Sequence, residues 1–271
     1  MDIEARMALV ERYMGTSVEI AIDRPVGYVH KKEKYSLTYP VNYGYIPGVL
    51  GGDGEELDVY LLGVSEPLEK CVCRIIGAAL RRNDVEDKLV AAPEGVNFTA
   101  EEIRAQVDFQ EKWYDSEIYA MPHFIDGVKE NADYYERPGA YFLPVKDGKI
   151  GVAGKKGSKL FFIGGGREKG ETDEQNLTRE VLEEIGYGIK IGSCFATAEQ
   201  YKPDQTDIGC FHPYQYYYTG ELTEKIAEPI EKDHFLVWVE PEKSQADRFA
   251  LKMHQWAFAC FCDLLNGGKG K

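Results

Sequence analysis

The sequence predicts two domains in tandem: a small β-barrel with an appended helix, then an α/β/α sandwich. Three observations carry this. The length of 271 residues suits two domains of ordinary size. The stretch MPHFIDGVKENADYYERPGA, residues 121–140, mixes prolines, glycines and charges without periodicity, as a seam between domains does. Before that seam the apolar pattern is one of short strands, and after it strands interleave with helices. The expected division is a first domain over 1–120, a linker over 121–135 and a second domain over 136–271.

In chain order, alternating or continuous apolar runs predict strands over 18–23, 58–64, 71–80 and 88–92. An amphipathic segment follows at 99–113, with Thr99 as N-cap and Glu102 completing a capping box. After the seam, strands are expected near 140–146 and 160–163, then a helix over about 173–184. Strands near 189–197, 210–220 and 235–239 precede a final helix over about 243–265, and the terminal GGKGK reads as a frayed tail.

Composition excludes several classes. The formal net charge of −14 disfavours polymeric nucleic acid, which requires clustered Lys and Arg. A small phosphate ligand remains compatible with that charge if divalent cations stand between the two sets of negative groups. No apolar run reaches membrane-spanning length, and the first residues, MDIEARMALVERYMG, lack the basic start and apolar core of a secretory signal. The six cysteines show no C-x-x-C spacing, so reduced thiols in a cytoplasmic protein are expected. A homodimer is the default expectation for assembly.

The most informative stretch of the second half is TREVLEEIG, residues 178–186. On a helix, Glu180, Glu183 and Glu184 crowd one face, while Val181, Leu182 and Ile185 fall opposite. Like charges at that spacing destabilise a helix, whereas Arg179 is placed to hold Glu183 four residues on. Gly186 ends the helix. Three glutamates alone are more often a solvated acidic face. Upstream, however, stand Gly165, then Glu171 after five residues, then Arg179-Glu180-Val181 after seven more. This arrangement resembles the Nudix box, G-x5-E-x7-R-E-U-x-E-E-x-G-U, and departs from it only in Tyr187 at the last position. The resemblance covers 136–265, including ERPGAYFLPV before the box and DHFLVWV and HQWAFA after it.

That resemblance implies Mg²⁺- or Mn²⁺-dependent hydrolysis of a nucleoside diphosphate linked to another group. It implies Glu180, Glu183 and Glu184 as metal ligands, one of them also a base, with a carbonyl of the 164–166 run (Gly164) as a further ligand. Arg179 and Glu171 are then orienting residues. Carboxylate oxygens suit such hard cations, which acidify an attacking water. A later acid, Glu231 or Asp233, is expected to join them, and spacing does not choose between the two. His212, His234 and His254 are expected to be structural. Pocket residues are expected in 198–207 and 210–220; Tyr201, Phe211 and Trp256 are more simply core aromatics than base-stacking groups.

In the first half, YPVNYGYIPGVLGGDGEELDVYLL (39–62) sets three tyrosines beside an acidic glycine turn that feeds a strand. This stretch resembles the soluble family I inorganic pyrophosphatases, whose Y-P-x-N-Y-G-Y-I-P is present in full. DGEELDV matches their D-x-D-P-x-D-V in spacing, with Glu55 and Glu56 substituting. The resemblance implies an OB-like barrel. Its implied metal ligands are Asp53, Glu55, Asp58, Asp84 and Asp87 or Glu86, and its implied substrate groups are Tyr39, Tyr43, Glu19, Lys88 and Lys31 or Lys32. The sequence departs from that family in a missing early hairpin and in Trp113-Tyr114, which stand where a Tyr-Lys pair is usual. The phosphate-gripping cations are thinned.

Read together, the halves predict that a nucleoside triphosphate is cleaved to a monophosphate and pyrophosphate, which the first half hydrolyses. The alternative is a different nucleoside diphosphate-linked substrate, with the first half as a phosphate-binding regulator.

Overall fold

A computed structural model describes residues 2–32, 35–205 and 209–267. The expected frayed tail at 268–271 and the side chain of Lys32 lie outside the described residues. The chain forms two compact units, Met1–Met121 and Pro122–Lys271.

The first unit opens with α1 (Ile3–Tyr13), capped by the Asp2 side chain. The strands β1 (Ser17–Arg24), β2 (Val29–Lys32), β3 (Tyr35–Thr38), β4 (Asn42–Leu50), β5 (Glu56–Leu61), β6 (Lys70–Arg81) and β7 (Lys88–Ala92) follow. After α2 (Ala100–Glu111) comes β8 (Ser116–Ala120). Strands β1-β4-β5-β7-β6 pair in that order and β6 closes back on β1, so the sheet is a five-stranded barrel with β8 added to β6. Closure leaves few open edges. Gly44 makes one closing contact, since a Cβ there would stand 1.9 Å from the Ala21 carbonyl oxygen.

Strands β5 and β7 are apolar on both faces because both faces are covered. Leu57, Val59, Leu61, Leu89 and Ala91 join one core with Ile20 and Ile75. Tyr60, Leu62, Val90 and Ala92 join another with Tyr39, Tyr43 and the α2 residues Ile103 and Val107. Helix α2 carries the expected capping box, Thr99 with Glu102.

The second unit contains β9 (His123–Asp126), β10 (Tyr134–Lys146), β11 (Lys149–Lys155), β12 (Ile163–Gly166), α3 (Asp173–Ile185), β13 (Tyr187–Gln200), β14 (Lys202–Gln205), β15 (Gly209–Lys225), β16 (His234–Val239) and α4 (Lys252–Gly267). Its sheet runs β16-β11-β10-β15-β13-β9, with β12 on β10 and β14 on β15. Within 121–135, expected as a linker, residues 123–126 are therefore sheet, paired in parallel with Thr197–Gln200.

Helix α4 buries Met253, Ala257, Phe258 and Phe261 against Leu143, Ile150, Val152 and Tyr217 on one face of the sheet. On the other face, Tyr218 donates to Asp173 of α3. This is the sandwich expected from the sequence. The final helix is not continuous from 243: a 3-10 turn (Lys243–Arg248) precedes α4. Leu160 donates to the Arg248 carbonyl and accepts from Ala250 N–H, and these bonds replace the helical ones. Among the described residues no helix is long and apolar enough to cross a membrane.

Candidate functional site

Helix α3 sets up the carboxylate face. Thr172 caps its start in a reciprocal pair with Gln175, and Gly186 ends it at φ 78°. Leu177, Val181 and Ile185 are buried, which fixes the rotation of the helix and turns Glu180 and Glu184 toward the glycine strand β12. That strand is glycine for steric reasons. A Cβ on Gly164 would lie 2.4 Å from the Ala140 carbonyl oxygen, and one on Gly165 would lie 2.6 Å from Glu180 Oε1. One on Gly166 would lie 2.4 Å from Arg137 Nε.

Arg179 organises the acids. It donates from Nε and Nη2 to Glu171 at 2.8 and 3.0 Å. From Nη1 it donates to Glu180 at 2.9 Å and Glu183 at 3.3 Å. The Glu171 carboxyl is held down at about 2, chiefly by Arg179. Glu184 is buried and accepts from Gly164 N–H at 3.2 Å. Burial pushes its carboxyl up to about 8; the Gly164 bond opposes this, while Glu180, Glu231 and Glu183 add repulsion. Burial also raises Glu180.

Of the two later acids, Glu231 approaches this set. Single ligand atoms of Glu184, Glu231 and His234 all lie within 4.8 Å of one another. Ile230 and Glu231 donate their N–H groups to the Glu183 carbonyl, which ties the 230–231 turn to the end of α3. Asp233 instead pairs with Lys155 at 2.9 Å on the surface. His234, expected to be structural, thus stands among the acids. Its signal in the sequence was only the spacing of a histidine three residues after Glu231.

The other two histidines have structural partners. His254 is buried, stacked on Phe162 at 4.4 Å, and burial pushes it down to about 3, so it is neutral. His212 donates into a buried network around Glu199 (2.7 Å), which His123 (3.1 Å) and Tyr201 (2.8 Å) also join. Tyr201 stacks on His212 and Trp256 on Phe124. Phe211 lines a cavity of about 170 Å³ with Arg137, Tyr141, Gly166, Lys202 and Gln215. Residues 206 and 207 of the expected pocket stretch lie outside the described residues.

In the first unit the expected residues scatter. Lys88 is fully buried, and its Nζ donates to Tyr43 Oη (2.6 Å), Asp58 (2.6 Å) and Glu86 (3.0 Å). Asp84 and Glu86 both receive bonds from Arg81 Nη1. Asp87 is buried in a two-point pair with Arg6. Asp53 and Glu55 are exposed, Asp53 accepting from the Glu55 N–H. Glu19 faces outward and pairs with Lys70, and Lys31 is exposed. Tyr39 and Tyr43 are buried, so they pack rather than project. Asp58, Asp84 and Asp87 are thus divided among internal cations, while Asp53 and Glu55 stay exposed at the turn.

Sequence reasoning named Lys88 but missed the arginines Arg6, Arg24 and Arg81. Arg24 donates to Tyr39 Oη at 2.9 Å and its guanidinium lies over the Tyr43 ring. Arg81 also pairs with Glu111 in the core. Both are brought in by long-range strand pairing, with Arg24 set opposite Tyr43.

Family models match both units: the inorganic pyrophosphatase model over residues 8–130 and the NUDIX domain model over 139–260. The chain joins an inorganic pyrophosphatase domain to a NUDIX domain. The pyrophosphatase domain is 29% identical over 93 residues to an inorganic pyrophosphatase of Campylobacter jejuni, covering 32% of this chain and 54% of that protein. It is 33% identical over 101 residues to soluble inorganic pyrophosphatase 2 of Chlamydomonas reinhardtii, covering 34% of this chain and 53% of that protein. The chain thus spans about half the length of the curated relatives it matches. Among solved structures, a NUDIX hydrolase from Nitrosomonas europaea aligns with 49% of this chain and 90% of its own, at 15% identity and a TM-score of 0.39. An inorganic pyrophosphatase from Neisseria gonorrhoeae aligns with 35% of this chain and 72% of its own, at 23% identity and a TM-score of 0.28.

Proposed function

We propose that the NUDIX domain hydrolyses a nucleoside triphosphate, or a related nucleoside diphosphate derivative, to a nucleoside monophosphate and pyrophosphate. The observation that carries the reading is the meeting of Glu184, Glu231 and His234 beside an intact Arg179–Glu171–Glu180–Glu183 network. The donor set fits a divalent cation. Hard carboxylate oxygens suit Mg²⁺ and Mn²⁺, and the imidazole favours Mn²⁺ of the two. Burial first, and repulsion from Glu180, Glu231 and Glu183 after it, raise the Glu184 carboxyl, and a bound cation would offset both. Glu180, Glu183, Glu184, Glu231 and His234 would hold the ion. When bound, it would screen the substrate's phosphates and acidify water.

The remaining work falls to the chain's own groups. Arg179 fixes three acids in place, so their geometry is set before substrate arrives. Arg137, beside Gly166, lines the neighbouring cavity and supplies a cation for a phosphate. Phe211 and Lys202 in the same cavity offer an aromatic face and a second cation. Water supplies the attacking oxygen, a P–O–P bridge breaks, and one carboxylate takes the proton.

For the pyrophosphatase domain the geometry favours binding over metal-dependent hydrolysis, because Asp58, Asp84, Glu86 and Asp87 are each paired with an internal Lys or Arg. A panel of nucleoside triphosphates with Mg²⁺ or Mn²⁺ tests the reading, with monophosphate, pyrophosphate and orthophosphate quantified together. Monophosphate with pyrophosphate is the expected outcome. Preferred turnover of ADP-ribose to AMP and ribose phosphate would overturn the triphosphate assignment.

A further inference from the structure

The first unit holds a cavity of about 640 Å³, within the usual range for small-ligand sites. Its walls include Arg24, His30, Tyr39, Lys112, Trp113 and Tyr114. The chemistry of this wall differs from that of the chain as a whole. The chain is acidic, yet the cavity gathers two cations and a histidine.

The acid on the wall, Glu86, has both oxygens occupied: Oε1 accepts from Lys88 and Oε2 from Arg81. Its charge is offset by these two cations, so it opposes an incoming anion less than a lone carboxylate would. Lys112 has no carboxylate within ion-pair distance among the described residues, and its Nζ lies 5.3 Å from the Trp113 ring centre. Arg24 uses Nη1 on Tyr39 and its Nε lies 3.6 Å from the Asp23 carboxylate, while its Nη2 has no hydrogen-bond partner among the described residues. These two cations are available to phosphate oxygens.

Trp113 is the second half of the argument. It is 72% exposed, although it is the largest apolar side chain on the cavity wall. An indole exposed beside a ligand-sized cavity offers a flat face on which a base can stack. Each ring has a cation over one face, Arg81 at 3.4 Å from the Tyr114 centre and Lys112 at 5.3 Å from the Trp113 centre, but Trp113 is by far the more exposed and is the platform a base can reach. Stacking on such a platform accepts any base, and flanking cations accept its phosphate.

We infer that this cavity binds a nucleotide without metal, its base against Trp113 and its phosphate against Lys112 and Arg24. The inference does not rest on the hydrolysis assigned to the NUDIX domain. It makes the pyrophosphatase domain a nucleotide-binding module in which Lys88 and Arg81 occupy the acids that would otherwise hold cations.

The test is calorimetric titration of the full chain with AMP in a chelating buffer, repeated with inorganic pyrophosphate. AMP is expected to bind, and more tightly than pyrophosphate. Trp113→Ala should weaken AMP by about tenfold or more. Lys112→Gln should weaken it too, with a smaller salt dependence of the remaining binding. Both substitutions lie at exposed or part-exposed positions and should leave nucleoside triphosphate hydrolysis with added metal unchanged. Unaltered AMP affinity in both variants would overturn the inference. So would tighter binding of pyrophosphate than of AMP, or an absolute requirement for Mg²⁺.

Discussion

Arg179 grips Glu171 through two N–H···O bonds, 2.8 Å from Nε and 3.0 Å from Nη2, and spends its remaining nitrogen on Glu180 and Glu183. One side chain therefore reads out three others. Lysine carries the charge but not the fork. Arg179→Lys is expected to lower kcat/KM for nucleotide hydrolysis by about 10–100-fold, the usual effect of losing a group that orients metal ligands. Circular dichroism should be unchanged. Wild-type kinetics in that variant would show that the fork does not position the acids.

Removing the acids themselves should separate Glu231 from Asp233. Glu183→Gln and Glu184→Gln are expected to abolish most turnover, and Glu231→Gln to raise the metal concentration needed for half-maximal rate. Asp233→Asn, which loses an exposed pair with Lys155 and a loose 3.9 Å approach to His234, should change either far less than Glu231→Gln does. His234→Ala should weaken Mn²⁺ more than Mg²⁺, because imidazole is a softer donor. Metal titrations of activity for the five variants provide the check. An Asp233 effect equal to that of Glu231 would reverse the assignment.

What the sequence made legible was whatever is local. The α3 box, its Gly186 cap and the Thr99–Glu102 capping box are encoded within a few residues, and their geometry follows. The barrel strands β5, β6 and β7 were equally readable because covered strands are continuous apolar runs. Partnerships across long sequence separations were not. Nothing near Lys88 announces that its amine meets Tyr43, and nothing near Arg6 announces Asp87, 81 residues away. The family pattern placed acids at the right spacings, but whether each acid is free or already paired depends on strand register, which the sequence does not print. The break in the last helix was hidden for the same reason, since its cause is Leu160.

The Glu199 network sets a pH window for stability. Burial alone would raise Glu199, but hydrogen bonds from His123, His212 and Tyr201 outweigh it and hold the carboxyl at about 2. Its contribution is full above the ordinary carboxylate range and is lost as pH falls toward 2. Burial would lower His212, but its bonds to Glu199 and Glu136 raise it. That contribution is full below about 6.5 and is lost as pH rises through the higher folded value. Stability from this pair should therefore peak between about pH 5 and 6.5. His212→Gln should flatten the alkaline side of a Tm-versus-pH curve, and an unchanged curve would remove His212 from the account.

Gly186 offers a purely steric test. It ends α3 at φ 78°, and an added Cβ would sit 2.1 Å from the Ala227 carbonyl oxygen. Both the conformation and the contact oppose a side chain. Gly186→Ala should cost more than about 1 kcal/mol. Because the 227–231 segment hangs from Gly186 and Glu183 by backbone bonds, the same variant should also weaken metal binding. Denaturant melts and metal titrations would separate the two effects.

The Arg81–Glu111 pair tests how the first unit is held. Both side chains are completely buried, joined by two bonds of 2.7 and 3.0 Å. Glu111 also accepts from Tyr60 and Ser116, so its charge is fully satisfied without water. Burial raises its pKa, and the bonds from Arg81, Ser116 and Tyr60 bring it below the ordinary value. Arg81→Ala removes the only cation on that carboxylate among the described residues and also leaves Asp84 and Glu86 without their shared donor. The expected loss is about 3–5 kcal/mol, because a buried charge is stranded rather than merely a bond lost. Adding Glu111→Leu should return part of that, since the stranded charge goes with it. If the double variant is no more stable than Arg81→Ala alone, the pair does not act as a unit, and the cost lies instead in the loss of the Arg81 stack on Tyr114.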